Sequence, residues 1–537
     1  MNTSSNVTKN VTRRGFVATA GAAVVASAAA AGRAYADNPA QNAAEDDRPA
    51  VPYTPETVAQ ELECDIAVVG LGMSGLAAAV QAANNGDRVI GLEVTEVTGG
   101  NGTGVEGLFG VGSEMQKDAG IEIDPVEVVK TELGEFQMHS DGALWLKLVN
   151  NSADNIAWLQ EQGVEFSGEV DNYLGACIVP CFHWFKGNVA SEGYIPQMTA
   201  RAEELGVEIH YGTRARGLVM EDGKVCGVYA TDGDGNDIKV NAKAVILATG
   251  GYAQNEKFMT QRGWNWDDIV YGGLPHHEGD GLEMAFAAGA GNTVANSSFN
   301  CTNILGQGNT FAWKQDNFTS LFLGAGMFGL GGNVLWVNQD ADRFIDESFA
   351  ASNFEMQSVP AMTQRAMYSV FDRAIAEAAL GAAGDAETLD KMDAAVADGT
   401  EPDLVCADTV AEAAEKAGLD ADALQASIDR YNELCAAGAD ADFGKDAALM
   451  VPIQTAPFYV VKMNQYYLMS IGGIRCDANA RVLTDKKQPV EGLYAVGTDG
   501  CMLYRNIYTI NVGGTCNANN VNSGRAAANH AHTLIAG

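Results

Sequence analysis

The stretch Cys64-Asp65-Ile66-Ala67-Val68-Val69-Gly70-Leu71-Gly72-Met73-Ser74-Gly75 decides the architecture of this 537-residue chain. Cys64 to Val69 is an apolar run broken only by Asp65, the pattern of a strand buried on both faces. Glycines then fall at 70, 72 and 75, in G-x-G-x-x-G spacing. Leu76, Ala79, Val80 and Ala83 recur at helical spacing, Gly86 ends the helix, and Arg88-Val89-Ile90-Gly91-Leu92-Glu93 makes a second strand. Strand, glycine turn, helix and strand together predict a dinucleotide site. Gly70 permits the tight turn, Gly72 lets backbone approach a pyrophosphate, and Gly75 lets helix and strand pack. Met73 and Ser74 start the helix, whose free N–H groups and positive dipole end suit phosphate. Glu93, ending the second strand, is placed to accept ribose hydroxyls.

Further glycine signals favour FAD over NAD as that dinucleotide. Gly99-Gly100-Asn101-Gly102 follows the acidic residue closely, and Ala244 to Leu247 is a strand ending in Ala248-Thr249-Gly250-Gly251. Gly279-Asp280-Gly281 follows, and Gly492-Leu493-Tyr494-Ala495-Val496-Gly497-Thr498-Asp499 reads as another cofactor-facing strand and turn. A nicotinamide site needs far less glycine spread over a chain.

Working outward, residues 1–36 carry four basic residues and no acid. Thr12-Arg13-Arg14-Gly15-Phe16, an apolar run to Ala31 and Ala34-Tyr35-Ala36 read as a twin-arginine signal with a cleavage site. The expectation is export by the twin-arginine route to the periplasm or the outer face of the cell membrane, with 37–56 as a linker. The apolar run is shorter than the ~20 residues that cross a bilayer. The formal net charge is −36, and −40 without the leader, which disfavours nucleic-acid partners. The composition, 47% hydrophobic and 19% charged, is that of a globular chain. The ten cysteines, in an exported chain, leave disulfides open. Cys64 and Cys226, in strand-like runs, read as buried thiols. No metal site is expected from spacing.

Several of these segments carry a family resemblance: Gly99-Gly100-Asn101, Gly279-Asp280-Gly281, Arg343-Phe344-Ile345-Asp346-Glu347, Ile471-Gly472-Gly473-Ile474, Gly492-Leu493-Tyr494 and Gly513-Gly514. From about Glu63 to the C-terminus the chain resembles the fumarate reductase/succinate dehydrogenase flavoprotein family, in its exported branch. The resemblance implies an α/β fold: a Rossmann-like FAD-binding domain over 57–297 and 463–537, with an α+β capping domain inserted at 298–462. The alanine-rich stretch 374–436 reads as helices of that cap. The resemblance also implies that Gly513, Gly514 and Thr515 lie over the flavin.

The chain departs from fumarate enzymes where substrate is held. Their His-Thr-x-Gly-Gly reads Met469-Ser470-Ile471-Gly472-Gly473 here, and their Asn-Arg-Leu-Gly-Gly, whose arginine clamps a carboxylate, reads Ile510-Asn511-Val512-Gly513-Gly514. Ala350 stands where a proton-relay arginine is expected. Burying a dicarboxylate without paired cations costs several kcal/mol per charge, so the expected substrate is neutral or bulky. Tyrosines and amides fill the space instead, among them Tyr466, Tyr467, Tyr504, Tyr508 and Asn511. The expected proton donor is Tyr508, Tyr504 or Arg505, or else Arg373, displaced after Phe371-Asp372 and assisted by Glu347. His183 beside Trp184 reads as a packed histidine.

Among exported members lacking the clamps, the chain resembles cardiac glycoside (digoxin) reductases, which implies an iron–sulphur cluster that no cysteine spacing supports. The expected reaction is saturation of a C=C bond conjugated to a carbonyl, in a lactone, steroid or phenolic acrylate. Electrons are expected from a separate cytochrome or a membrane quinol-linked donor. A ketosteroid-type desaturase and an exported flavin electron carrier are the two alternatives.

Overall fold

The computed structural model describes residues 52–173, 177–305, 332–348, 359–383, 387–399 and 401–537. The segment read as a twin-arginine signal lies outside the described residues, as does the expected linker up to residue 51.

Five parallel strands form the centre of the larger sheet, in the order Pro489–Ala495, Asp237–Leu247, Gln60–Val69, Val89–Leu92 and Glu208–His210. Val89–Leu92 is buried at every position, and so is Gln60–Val69 over its last four, which is why these runs read as continuous rather than alternating. Helix Met73–Asn84 connects the two strands and carries ten buried residues. The C-terminal helix Thr515–Ala536 crosses it at Gly524, where a Cβ would come within 2.6 Å of the Ser74 carbonyl and 3.0 Å of the Ala78 nitrogen. The antiparallel strands Arg214–Glu221 and Lys224–Thr231 extend the sheet through Asp237–Leu247.

A second sheet is organised on one long strand, Phe458–Ile471. Its first half pairs with Met367–Asp372 and Leu404–Ala407. Its second half pairs with Ser298–Leu305 and Ile269–Tyr271. Helices Arg373–Ala383, Glu387–Asp398, Val410–Ala417 and Ala421–Ala437 accompany the first half, so the alanine-rich stretch is four helices interrupted by a strand. A separate apolar core runs from Val334 to Met463, with Phe371 stacked on Tyr459 at 5.1 Å. The fold is therefore α/β with a Rossmann-like unit and an inserted α+β unit.

Three expectations need correction. The boundary at 462/463 falls inside the strand Phe458–Ile471, because one strand serves both units. The linker does not extend to residue 56: Tyr53 donates its N–H to the Arg216 carbonyl at 2.8 Å and its hydroxyl to Asp237 at 3.1 Å. Cys226 is half-buried, at the sheet's outer hairpin, although Cys64 is buried. No described helix is long and apolar enough to cross a membrane.

Candidate active site

The carboxyl ends of the parallel strands put Gly70, Glu93, Ala248 and Val496 along one edge, the place where open α/β sheets take ligands. Gly70 adopts φ +88°, and a Cβ there would overlap the Ala248 carbonyl. A Cβ on Gly75 would overlap the Gly70 carbonyl, so this glycine closes the turn against the helix. Gly72 differs, since the nearest atom to an added Cβ is the Gly99 carbonyl at 3.5 Å. Protein does not fill that space, which leaves room for a ligand.

The second glycine loop lies directly on the first. Gly72 and Gly99 form a parallel bridge, Gly99 donates to the Leu71 carbonyl at 2.9 Å, and Gly102 packs on Met73. Met73 is held through its own carbonyl, which accepts from Tyr194 at 2.8 Å. The Ser74 side chain lies against the Gly497 turn. Three helices begin at glycine caps without any side-chain cap: Met73–Asn84 after Gly72, Asp280–Ala287 after Gly279 and Thr515–Ala536 after Gly514. The first of these ends, beside the open side of Gly72, suits a phosphate. This open cradle and these donors fit a dinucleotide whose pyrophosphate takes Gly72, Met73 and Ser74.

The acidic residues of the motifs act mainly on the protein's own backbone. Glu93 accepts from Leu71 N–H at 2.8 Å and from Thr95 N–H and hydroxyl at 3.0 Å. Burial raises its carboxyl above the usual range against these bonds. Asp499 accepts from Thr249 N–H (2.6 Å), the Thr249 hydroxyl (2.9 Å) and Gly251 N–H (2.7 Å). Burial pushes Asp499 up to about 6. Asp280 pairs bidentately with Arg214 at 2.6 and 2.7 Å. Asn101 takes Leu274 N–H at 2.7 Å and gives its amide to the Leu468 carbonyl at 2.8 Å. These side chains shape the Thr249–Gly251 and Gly99–Gly102 turns, and the Thr498 carbonyl anchors Gly472 N–H at 2.7 Å.

The expected catalytic residues separate. Tyr504 is 1% exposed, its hydroxyl lies 2.6 Å from Thr515 Oγ1, and its ring meets Phe136 and Trp145 edge-on. It anchors the start of the C-terminal helix. Tyr508 is 8% exposed, with its ring 4.9 Å from that of Tyr504. Arg505 reaches the Met502 sulfur at 3.8 Å, and burial, then the charge of Arg475, lowers its pKa.

Arg373 and Glu347 are not brought together. Arg373 pairs at the cap surface with Glu377 (2.9 Å), Asp393 (2.7 Å) and the Tyr459 hydroxyl (3.0 Å). Glu347 is fully buried, holds Arg343 at 2.7 and 2.9 Å, and lies 3.3 Å from Lys445. It has no means of assisting Arg373, because its oxygens are taken up within the cap. His183 is a packed histidine bonded to Ser113 at 2.7 Å, and burial pushes it down to about 4.

The glycine spacing gave no sign of two groups. His277 packs its ring on Gly250, where a Cβ would lie 2.5 Å from Nε2, and its Nδ1 is 2.5 Å from the Tyr271 hydroxyl. Glu132 is fully buried beneath Thr509. Only the Pro275-His276-His277 run beside Gly279-Asp280-Gly281 could have drawn attention to the first.

Nothing among the described residues fits an iron–sulphur cluster. Such clusters need about four converging thiolates. Among the described residues no group of three or more metal-ligating side chains exists, and nine cysteines are free thiols.

The FAD binding domain family matches residues 65–511, and the chain belongs to it. It is an FAD-dependent oxidoreductase acting on CH–CH groups, with FAD as its cofactor. The chain is 32% identical over 502 residues to a vinyl phenol reductase of Lactiplantibacillus plantarum, covering 89% of this chain and 98% of that protein. It is 29% identical over 462 residues to a urocanate reductase of Eggerthella lenta, covering 83% of this chain and 71% of that protein. In fold it matches the open conformation of a flavocytochrome c3 fumarate reductase, with TM-score 0.62 at 23% identity, over 89% of this chain and 79% of that one. A 3-ketosteroid-Δ4-(5α)-dehydrogenase from Rhodococcus jostii matches with TM-score 0.64 at 22% identity, over 90% and 99%.

Proposed function

We propose that this chain is an exported flavin-dependent reductase that saturates a polarised C=C bond in a neutral, aromatic or bulky substrate. The carrying observation is the absence of charge where a dicarboxylate would be clamped. Met469 and Asn511 stand there, and Arg505 is the one cation in 466–471 and 504–514. The near-complete coverage of a protein named vinyl phenol reductase supports an aromatic alkene over a small diacid. An alkene conjugated to a carbonyl, as in a steroid enone, a lactone or a phenolic acrylate, belongs to the same class.

FAD, when bound, supplies the hydride equivalent. The chain holds the proton: Tyr508 is the proposed donor, and an ordinary tyrosine, with a pKa near ~10, carries its proton at neutral pH. Tyr504 backs it by ring contact and by its bond to Thr515. Neutral amides such as Asn511 orient the polar end of the substrate. Electrons arrive from a separate cytochrome or membrane quinol-linked donor outside the cytoplasm, as the twin-arginine leader suggests.

The test is anaerobic stopped-flow reoxidation of the reduced flavin by vinyl phenol, a steroid enone and fumarate. Vinyl phenol or the enone is expected to reoxidise it rapidly and fumarate not. Rapid reoxidation by fumarate overturns the reading. Tyr508→Phe is expected to slow the step by roughly 10²–10⁴. A wild-type rate in Tyr508→Phe with a lost rate in Arg505→Ala moves the acid to Arg505.

A further inference from the structure

Helix Pro125–Glu135 carries a carboxyl group in a place where a carboxyl group is costly. Glu132 is 0% exposed. Its Oε2 accepts from the Thr509 hydroxyl at 2.6 Å, and its Oε1 has no hydrogen-bond partner. Two groups face it electrostatically: Glu135 on its own helix, and the buried Cys181 thiol from the segment packed alongside. Neither is a cation: Glu135 disfavours a charge on Glu132, and the neutral thiol offers nothing to offset one. Burial therefore dominates, opposed only by the Thr509 bond, and pushes the group up to about 7. An apolar side chain would fill this volume without a desolvation cost.

The acid sits where it controls one segment. Thr509 directly follows Tyr508 and leads to Gly514, the cap of the C-terminal helix. The same helix ends at Phe136, whose ring lies 6.0 Å from Tyr504, itself 4.9 Å from Tyr508. The segment around Cys181 supports this stretch from the other side. Ile178 N–H donates to the Asn511 carbonyl at 2.9 Å, and the Cys181 thiol contacts the Gly513 carbonyl at 3.9 Å. Among these contacts, the Glu132–Thr509 bond alone depends on a titratable carboxyl.

We propose that Glu132 is a positioning residue: as the neutral acid it latches Thr509, and so holds Tyr508 and the 508–514 stretch against the cofactor, and its ionisation loosens that stretch. The inference rests on the reading of Tyr508 as proton donor. The sign follows from the absence of any cation. An unpaired charge in this cavity is relieved only by water entering or by the stretch moving away, so the latched form is the low-pH form.

The test is the pH dependence of flavin reoxidation by vinyl phenol between pH 5.5 and 8.5 (the range brackets the shifted acid). The wild-type rate is expected to fall as pH rises through about 7. Glu132→Gln accepts the same bond and cannot ionise, so its profile is expected to lose that fall. Thr509→Val removes the latch and is expected to be roughly tenfold slower at every pH, the equivalent of one buried hydrogen bond. A wild-type profile with no fall overturns the proposal, as does a fall that persists in Glu132→Gln. The flavin absorbance and near-UV dichroism of the oxidised holoenzyme, titrated over the same range, give a second readout without substrate. A transition near 7 that Glu132→Gln abolishes, with no alkene reduced by any variant, supports the latch and sinks the functional reading alone.

Discussion

In the cofactor unit, Glu93, Asp499 and Glu132 lie buried among neutral donors; in the cap, Glu347 and Asp440 lie buried against Arg343 and Lys445. The contrast reaches their protonation. Burial raises the first three. Asp440 is pushed up by burial too, but the Arg343 guanidinium and the N–H groups of Lys445, Phe443 and Asp442 outweigh this and hold it well below the usual range. The cap cluster balances two cations with two carboxylates in close contact, Arg343 to Asp440 at 2.8 Å. It therefore fixes its own geometry with no ligand. The cofactor unit spends its carboxylates on arranging loops and leaves the space beside Gly72 open, because the charge that completes it comes with FAD.

The largest test of this contrast lies in the glycine turn. Gly75→Val forces the turn off the helix and is expected to give no folded protein. Gly72→Val adds its side chain to a space that protein leaves open, so it is expected to give a folded protein without flavin. Circular dichroism together with visible absorbance separates the two, and a yellow Gly72→Val enzyme breaks the cradle reading. In the cap, Glu347→Gln leaves Arg343 and Lys445 in a buried cluster with Asp440 as its one remaining carboxylate. The expected loss is about 3–5 kcal/mol, the cost of breaking a buried pair, read by denaturant unfolding. Flavin content is expected to survive, since the cluster contributes to the second core and not to the cradle.

The pH responses should run in opposite directions. Asp440 is depressed in the fold, so its stabilisation is present above the ordinary aspartate range and is lost as pH falls towards the folded value. Glu132 is raised to about 7, so folding favours its proton, and that stabilisation is lost as pH rises from about 4.5 through 7. Hydrogen exchange followed from well below 3.8, the ordinary aspartate value, up to about 8 should show the cap opening on the acid side and the 504–514 stretch on the alkaline side. Both regions opening on the same side would dissolve the comparison. Smallest is Arg373→Ala. Its side chain is 25% exposed and paired at the surface, so it is expected to cost about 1 kcal/mol or less and to leave flavin reoxidation unchanged.

The fold was legible because its signals are local. Hydrophobic runs, a helical spacing and glycines at 70, 72 and 75 sit within thirty residues of one another, and each glycine answers a short-range steric demand. The cofactor followed from the same signals repeated at Gly99, Thr249, Gly279 and Gly492. The cap helices were legible as composition, but the strand Phe458–Ile471, shared by both units, was not, since periodicity does not state which partners a strand will take. The site acids were misread for a related reason. Glu347 and Arg373 belong to motifs close in sequence, and only packing shows that Lys445 and Arg343 claim the one while Asp393 and Glu377 claim the other. Glu132 carried no motif at all: a helix of ordinary amphipathic character places it, and 377 residues separate it from Thr509. The sequence by itself determined the nucleotide unit and the family. Tertiary structure alone decided which carboxylates meet cations and which meet only hydroxyls and backbone, because the charge state of a buried acid depends on neighbours brought from distant segments.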